Sequence, residues 1–256
     1  MRQALIGHSG FVGGNLRKQA EFDAVYRSTD IADISGESFD LVVCAGAPGA
    51  KYLANQNPQQ DAESLNALKN ALGGVNANHV VLISTVDVYP QPHDVNEDSE
   101  IDAGESSPYG RHRRELEEFV RFGFTSTIIR LPALFGPGLK KNIVYDLLHS
   151  NRIEHLHPDS EFQFYDVTRL WGDIERARSL GVPLLNIATE PTSVRDVAAE
   201  AFGLDLGKIA TGDPVRYDVH SNHASDLGGP APYVYRRSDV LPAMRRFVES
   251  EGWQRP

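Results

Sequence analysis

Ala4-Leu5-Ile6-Gly7-His8-Ser9-Gly10-Phe11-Val12-Gly13-Gly14-Asn15-Leu16 is the stretch that settles the architecture. The run from Arg2 to Ile6 reads as a short buried strand and the glycines as a tight turn. Phe11, Val12 and Leu16 then read as the apolar face of an opening helix. Such a turn aims free backbone N–H groups and the positive end of a helix at one point, where a phosphate can sit. Gly7 permits the turn, Gly10 lets a pyrophosphate approach the backbone, and Gly13 lets the helix pack on the strand. The spacing G-x-x-G-x-x-G is one residue longer between its first two glycines than G-x-G-x-x-G. Between a strand and a helix it implies a dinucleotide cradle made of Gly7, Ser9, Gly10, Phe11, Val12 and Gly13.

Outward from that turn, strands and helices alternate. Ala24–Tyr26, Leu41–Cys44, His79–Ile83, Thr127–Leu131 and Leu184–Ile187 read as strands. Pro58–Leu72, Tyr109–Phe122, Asn142–His149, Leu170–Leu180, Ser193–Phe202 and Val240–Glu251 read as helices. Alternation of this kind means parallel pairing with right-handed crossovers, so the expected fold is α/β, a Rossmann-type doubly wound parallel sheet. A nucleotide-binding domain over residues 1–135 and a small C-terminal α/β substrate lobe over 136–256 are expected, with the chain free to interleave between them. Residues 203–238, rich in Gly, Asp, His and Pro, should be irregular and partly exposed.

Bulk properties narrow the function. The 256 residues suffice for a full core, and no apolar run approaches the roughly 20 residues of a membrane span. Cys44, the single cysteine, lies in an apolar run and reads as a small buried hydrophobe, which excludes an internal disulfide and points to the cytoplasm. Nothing at the N-terminus resembles a signal peptide. A formal net charge of −10 argues against nucleic-acid binding, and the nine histidines lack metal-ligand spacing.

In a doubly wound sheet the ligand crevice lies at the carboxyl ends of the strands. One strand there ends in Ser84-Thr85-Val86-Asp87, and the following helix opens at Ser106-Ser107-Pro108-Tyr109 with Arg113 one turn on. A tyrosine and a cation at i and i+4 share a helix face, and the cation is expected to lower the phenol pKa so that Tyr109 moves protons at neutral pH.

These residues, with others in the same order, resemble a known family. Gly7-x-x-Gly10-Phe-x-Gly13, Val42-Val-Cys-Ala-Gly46, Ile83-Ser-Thr-x-x-Val-Tyr89 and Pro108-Tyr109-Gly-x-x-Arg113 are similar to motifs of the extended short-chain dehydrogenases/reductases, in the branch acting on nucleotide sugars. Arg130-Leu-Pro-x-x-Phe-Gly136-Pro137, Phe164-Tyr-Asp-Val167 and Asn186-Ile-Ala extend the resemblance over most of the chain. It implies an NAD(P)-dependent oxidoreductase or epimerase of a nucleotide-activated keto sugar. Thr85 would polarise the substrate oxygen and Tyr109 act as acid/base, with further cofactor contacts at Ala45, Gly46, Ser84, Arg113 and Pro132. It also implies a homodimer through the Tyr109–Phe122 helix.

Two departures stand out. The family motif is Y-x-x-x-K, whereas Arg113 holds the lysine position; arginine can bind ribose hydroxyls and depress a phenol pKa but cannot release a proton. Either Arg113 replaces the lysine, or the chain is a catalytically weak or inactive NAD(P)-binding sensor or scaffold. The sugar dehydratases use Thr-Asp-Glu where this chain has Thr85-Val86-Asp87, so a full dehydratase is not expected. Asp87 is a candidate base for a carbon beside a keto group, or a loop cap. After the second strand, Tyr26-Arg27-Ser28 stands where NAD enzymes carry an acid, so Arg27 and Ser28 favour NADP, with NAD possible. Lys140, Lys141 and Asn142 are either contacts to a substrate diphosphate or a solvated helix start. The aromatics of 162–165 either line a pocket or fill the core.

Overall fold

The longest apolar runs build the centre of a six-stranded sheet. In the computed structural model, which describes residues 1–207 and 212–254, β1 is Gln3–Ile6, β2 Ala24–Tyr26, β3 Ser38–Cys44 and β4 Asn76–Thr85. Ser126–Leu131 and Leu184–Asn186 complete the sheet, whose order is Leu184–Asn186, Ser126–Leu131, β4, β3, β1, β2. β1 pairs in parallel with β2 and β3, and β3 with β4. Leu41–Cys44 and Val80–Leu82 are at most 1% exposed, as expected of strands covered on both faces. Both strands start about three residues before their apolar cores, because the ladder continues through Ser38↔Asn76 and Phe39↔Ala77. Backbone pairing needs no apolar side chain, so the sequence pattern understates their length.

The chain goes from β1 to β2 on one side and then to β3 on the other. The order therefore reverses at β1, and the crevice between the ends of β1 and β3 is the switch point where ligands bind in such sheets. Helices α1 (Phe11–Gln19), α2 (Lys51–Gln56), α3 (Pro58–Gly73) and α4 (Pro108–Gly123) belong to this unit. Leu65, Leu68 and Leu72 of α3 and Leu116 and Val120 of α4 share one core with β1, β3 and β4. α2 is invisible in the sequence pattern, since Ala54 is its one buried residue. Cys44 is buried in the sheet and burial pushes its thiol up to about 11, so it serves as a hydrophobe.

The described chain forms two compact units. The first holds residues 1–91, 99–130 and 170–185; the second holds 92–98, 131–169 and the chain from 186 onward. No single cut at 135 separates them, because the Leu170–Ser179 helix and the strand after it return to the sheet.

The second unit has its own core of Phe135, Val144, Leu147, Phe164, Phe202, Met244 and neighbours. In it Ala133–Phe135 pairs with Phe164–Asp166, and Glu161–Phe162 with Thr192–Ser193. Ser193 caps the next helix by accepting the Asp196 N–H at 3.0 Å; that helix widens to π geometry over Ala198–Phe202 and ends at Gly203, φ +72°. The last helix, Arg237–Ser250, begins three residues before its apolar pattern, where Asp239 accepts the Arg236 N–H. Among the described residues of 203–238, turns dominate, yet Val219, Ala224, Leu227 and Val234 are buried; residues 208–211 lie outside the description. No helix among the described residues is long and apolar enough to cross a membrane.

Candidate active site

The glycine turn has the construction that its sequence implies. Gly7 sits at φ +85°, and a Cβ there would lie 2.3 Å from the Ala45 carbonyl oxygen. A Cβ on Gly13 would lie 2.2 Å from the Gly7 oxygen. These two positions accept glycine alone, one for the turn and one for close helix–strand approach. Gly10 is different, since its Cβ would meet only the Gly7 oxygen, at 3.3 Å. No side chain caps α1 at Gly10, so the first N–H groups of the helix are left to whatever lies above the turn. Ala45, whose N–H donates to the Ile6 oxygen at 2.9 Å, and Gly46 close the other side of the crevice. A turn whose glycines leave the backbone N–H groups open to close approach fits the pyrophosphate of a dinucleotide.

After β2, Asp30 accepts the Arg27 N–H at 2.6 Å and lies 3.5 Å from the guanidinium, whose side chain is 56% exposed. Ser28 is exposed beside it. Arg27 is thus presented to solvent, with Asp30 as its neighbour.

At the end of β4 the side chains of four segments converge. Thr85 ends the strand, and its Oγ1 accepts the Asp87 N–H at 3.1 Å. Ser107 caps α4 by accepting the Gly110 N–H, and Tyr109 follows in the first turn. A Cβ on Gly110 would lie 2.2 Å from the Asp87 oxygen, so glycine lets α4 abut the turn after β4. That contact brings the Tyr109 hydroxyl into a hydrogen bond with Thr85. Thr85 Oγ1 accepts the Asp87 N–H with one lone pair and keeps a second lone pair and its own proton for the phenol. Asn55 of α2 accepts the Tyr109 N–H at 3.0 Å, and Lys51 Nζ lies 2.8 Å from Asp87 Oδ1.

Arg113 lies over the Tyr109 ring, 3.9 Å from its centroid, and is 2% exposed. Its guanidinium grips Asp61 of α3 with both terminal nitrogens, Nη2 to Oδ1 at 2.8 Å and Nη1 to Oδ2 at 2.5 Å, and also donates to the oxygens of Pro48 and Tyr109. His112 Nδ1 lies 2.8 Å from the same carboxylate. Burial works to raise the Asp61 pKa, but the bonds from Arg113 and His112 outweigh it and hold the group below the ordinary carboxylate range.

The phenol corrects one expectation. Burial raises the Tyr109 pKa, and although Arg113, Thr85 and Lys51 all pull it down, Asp87 opposes them and the net direction is up. The cation on the same helix face has the expected sign and is outweighed by desolvation. In the protein without ligands Tyr109 is a protonated acid at neutral pH.

Other expected site residues lie elsewhere or are engaged within the fold. The Ser84 hydroxyl donates to Glu117 at 2.6 Å, inside a buried network where Arg130 binds both Glu117 oxygens (2.9 and 2.6 Å) and the Tyr89 hydroxyl (2.7 Å). This network ties the end of β4 to α4. Lys140, Lys141, Asn142 and Pro132 belong to the second unit. There Asn142 Oδ1 accepts the Val144 and Tyr145 N–H groups and its Nδ2 donates to Leu134, while both lysines are exposed. Phe164 and Tyr165 are each 1% exposed and fill the core of that unit.

Asp61, Asn55 and Lys51 escaped the sequence reading. Asp61 carried a signal, since it falls on the 61, 65, 68, 72 stripe of α3 and is an acid in an apolar face. Lys51 carried none.

Comparison with known proteins agrees with this picture. No curated protein sequence matches the chain. Among solved structures it is similar to a dTDP-4-dehydrorhamnose reductase from Clostridium acetobutylicum, at 16% identity and a TM-score of 0.75 over 98% of this chain and 100% of that one. It is also similar to RMD from Pseudomonas aeruginosa complexed with NADPH (17%, TM-score 0.73, 98% and 100% covered). MoeE5 in complex with UDP-glucose and NAD is a third, at 17% identity and TM-score 0.73 over 98% and 99% of the two chains. These likenesses establish the fold. A family model described as "NAD dependent epimerase/dehydratase family" matches residues 25–181, more than half of the sequence. The chain belongs to that family, and with it to the extended short-chain dehydrogenases/reductases, NAD(P)-dependent enzymes.

Proposed function

We propose that this protein reduces or epimerises a nucleotide-activated keto sugar with NADP as its preferred cofactor, and that Tyr109 carries the proton. The observation behind this reading is the hydrogen-bonded pair of Tyr109 and Thr85 at the carboxyl end of β4, in the same sheet whose β1 ends in a glycine turn. Gly7, Gly10, Gly13, Ala45 and Gly46 would hold the pyrophosphate, and exposed Arg27 and Ser28 suit a 2′-phosphate. When bound, the nicotinamide supplies or accepts hydride at the substrate carbon.

The chain's own residues then have distinct tasks. Thr85 bonds the reacting oxygen, and Tyr109 Oη delivers a proton to it or withdraws one. A phenol held protonated at neutral pH can give its proton to the oxygen of a carbonyl as it is reduced, and the phenolate left behind takes one back in the reverse direction. In an epimerisation Asp87 would act as base on a carbon beside the carbonyl. The neighbours with NADPH and with UDP-glucose and NAD support the cofactor and substrate classes. The reading includes a homodimer in the cytoplasm, for which Phe122, 79% exposed at the end of α4, offers an apolar contact.

The test follows NADPH absorbance against a panel of nucleotide keto sugars. Tyr109→Phe should lower turnover about 10²–10⁴-fold while leaving the unfolding midpoint close to the parent's. Unchanged turnover in that variant sinks the mechanism.

A further inference from the structure

Two ion pairs flank Tyr109, and they are built differently. The Arg113–Asp61 pair is closed: its side chains are 2% and 5% exposed, and both terminal nitrogens of the guanidinium have protein acceptors. The remaining donor, Nε, is buried in the protein without a partner. A guanidinium held this way offers a ligand no hydrogen bond and cannot lose its proton. What it offers is a rigid plate against the phenol ring. Asp61 imposes this, from an apolar stripe where a carboxylate is tolerated only when fully paired.

The Lys51–Asp87 pair is open. Its ammonium stands 2.8 Å from the carboxylate, and the lysine side chain is 45% exposed. Asp87 is tied through its own N–H to Thr85, and Thr85 to the phenol, so the anchor of the lysine is part of the reacting cluster. Lysine carries its charge on a flexible stem with rotatable donors, suited to ribose hydroxyls or phosphate oxygens.

We propose that Lys51, anchored by Asp87, is the ligand-facing cation of this site, and that Asp61 has withdrawn Arg113 from that duty to make it a clamp on the Tyr109 ring. The proposal rests on the functional reading above in taking the ligand to be a nicotinamide dinucleotide. Around the phenol, Arg113 faces it from α4, Thr85 from the end of β4, Asp87 from the turn that follows and Lys51 from α2, whose Asn55 holds the Tyr109 N–H; Asp61 and His112 stand behind Arg113. The charge of Lys51 favours the phenolate and that of Asp87 opposes it. No proton need pass through the lysine for either effect.

Two measurements on the full-length protein test this. NADPH binding, followed by fluorescence, should weaken about tenfold to a hundredfold in Lys51→Met, as for a lost charge-assisted hydrogen bond, and be largely kept in Lys51→Arg. In protein labelled with fluorotyrosine, with Tyr109 assigned by its loss in Tyr109→Phe, the phenol should ionise at higher pH in Lys51→Met and lower pH in Asp87→Asn. If Lys51→Met binds NADPH as tightly as the parent, the proposal is wrong whatever the phenol does. If the parent binds neither NADPH nor NADH, the functional reading fails instead, and an unmoved phenol in Lys51→Met then overturns the assignment of Lys51.

Discussion

The turn after β1 and the cluster after β4 lie at the carboxyl ends of strands in one sheet, yet they are made of opposite materials. The turn is backbone, with side chains excluded at Gly7 and Gly13 by contacts of 2.3 and 2.2 Å. The cluster is side chain, assembled from α2, α3, the end of β4 and α4. A backbone site is specified by sterics within one short stretch, and it tolerates almost no substitution at two positions. A side-chain site is specified by which helices meet, and its members depend on one another's charges.

That contrast can be broken by measurement. The largest stability effect belongs to the cluster: Asp61→Ala leaves the guanidinium of Arg113 buried without its counterion and should cost about 3–5 kcal/mol by denaturant unfolding. A loss below about 1 kcal/mol would show that the pair is not the lock inferred from its geometry. Next is Gly13→Ala, where a methyl must displace the Gly7 carbonyl; about 1–3 kcal/mol is expected, together with loss of NADPH binding.

Gly10→Ala sharpens the comparison, because its Cβ has a single neighbour at 3.3 Å. Stability should change by less than about 1 kcal/mol while nucleotide affinity falls, separating the ligand's need for glycine from the fold's. Equal affinity in Gly10→Ala would mean that no pyrophosphate lies against this turn. The smallest effect expected is that of neutral pH on the rate. Burial holds the folded phenol above its ordinary range, so its acid form persists through neutral pH, and activity that needs it should stay level through neutrality and decline only in the alkaline range. An alkaline limb centred near pH 7 would contradict the burial of Tyr109.

Legibility followed the same division. The strands and the long helices were readable because β-branched runs and 3.6-residue stripes record burial directly. The Gly7, Thr85, Tyr109 and Arg113 positions were readable because motif spacing preserves them. What Ser84 and Asn142 hold within the fold was hidden: a sequence shows a hydroxyl and an amide near the ligand end, and only the structure shows their partners, Glu117 and the first turn of a helix. The direction of the phenol pKa was also hidden, since a sequence shows the neighbouring cation but not the depth of burial.

Sequence by itself determined the sheet and the glycine cradle, which rest on local sterics and short-range periodicity, and the resemblance of its motifs pointed to Thr85 and Tyr109, whose meeting depends on the packing of α4 against the turn after β4. Tertiary structure alone decided which cation faces the crevice. Arg113 and Lys51 are 62 residues apart, and their roles depend on carboxylates at 61 and 87 that only the packing of α3 and the turn after β4 brings within 3 Å of them. Charge becomes function through distance and desolvation, and neither is written along the chain.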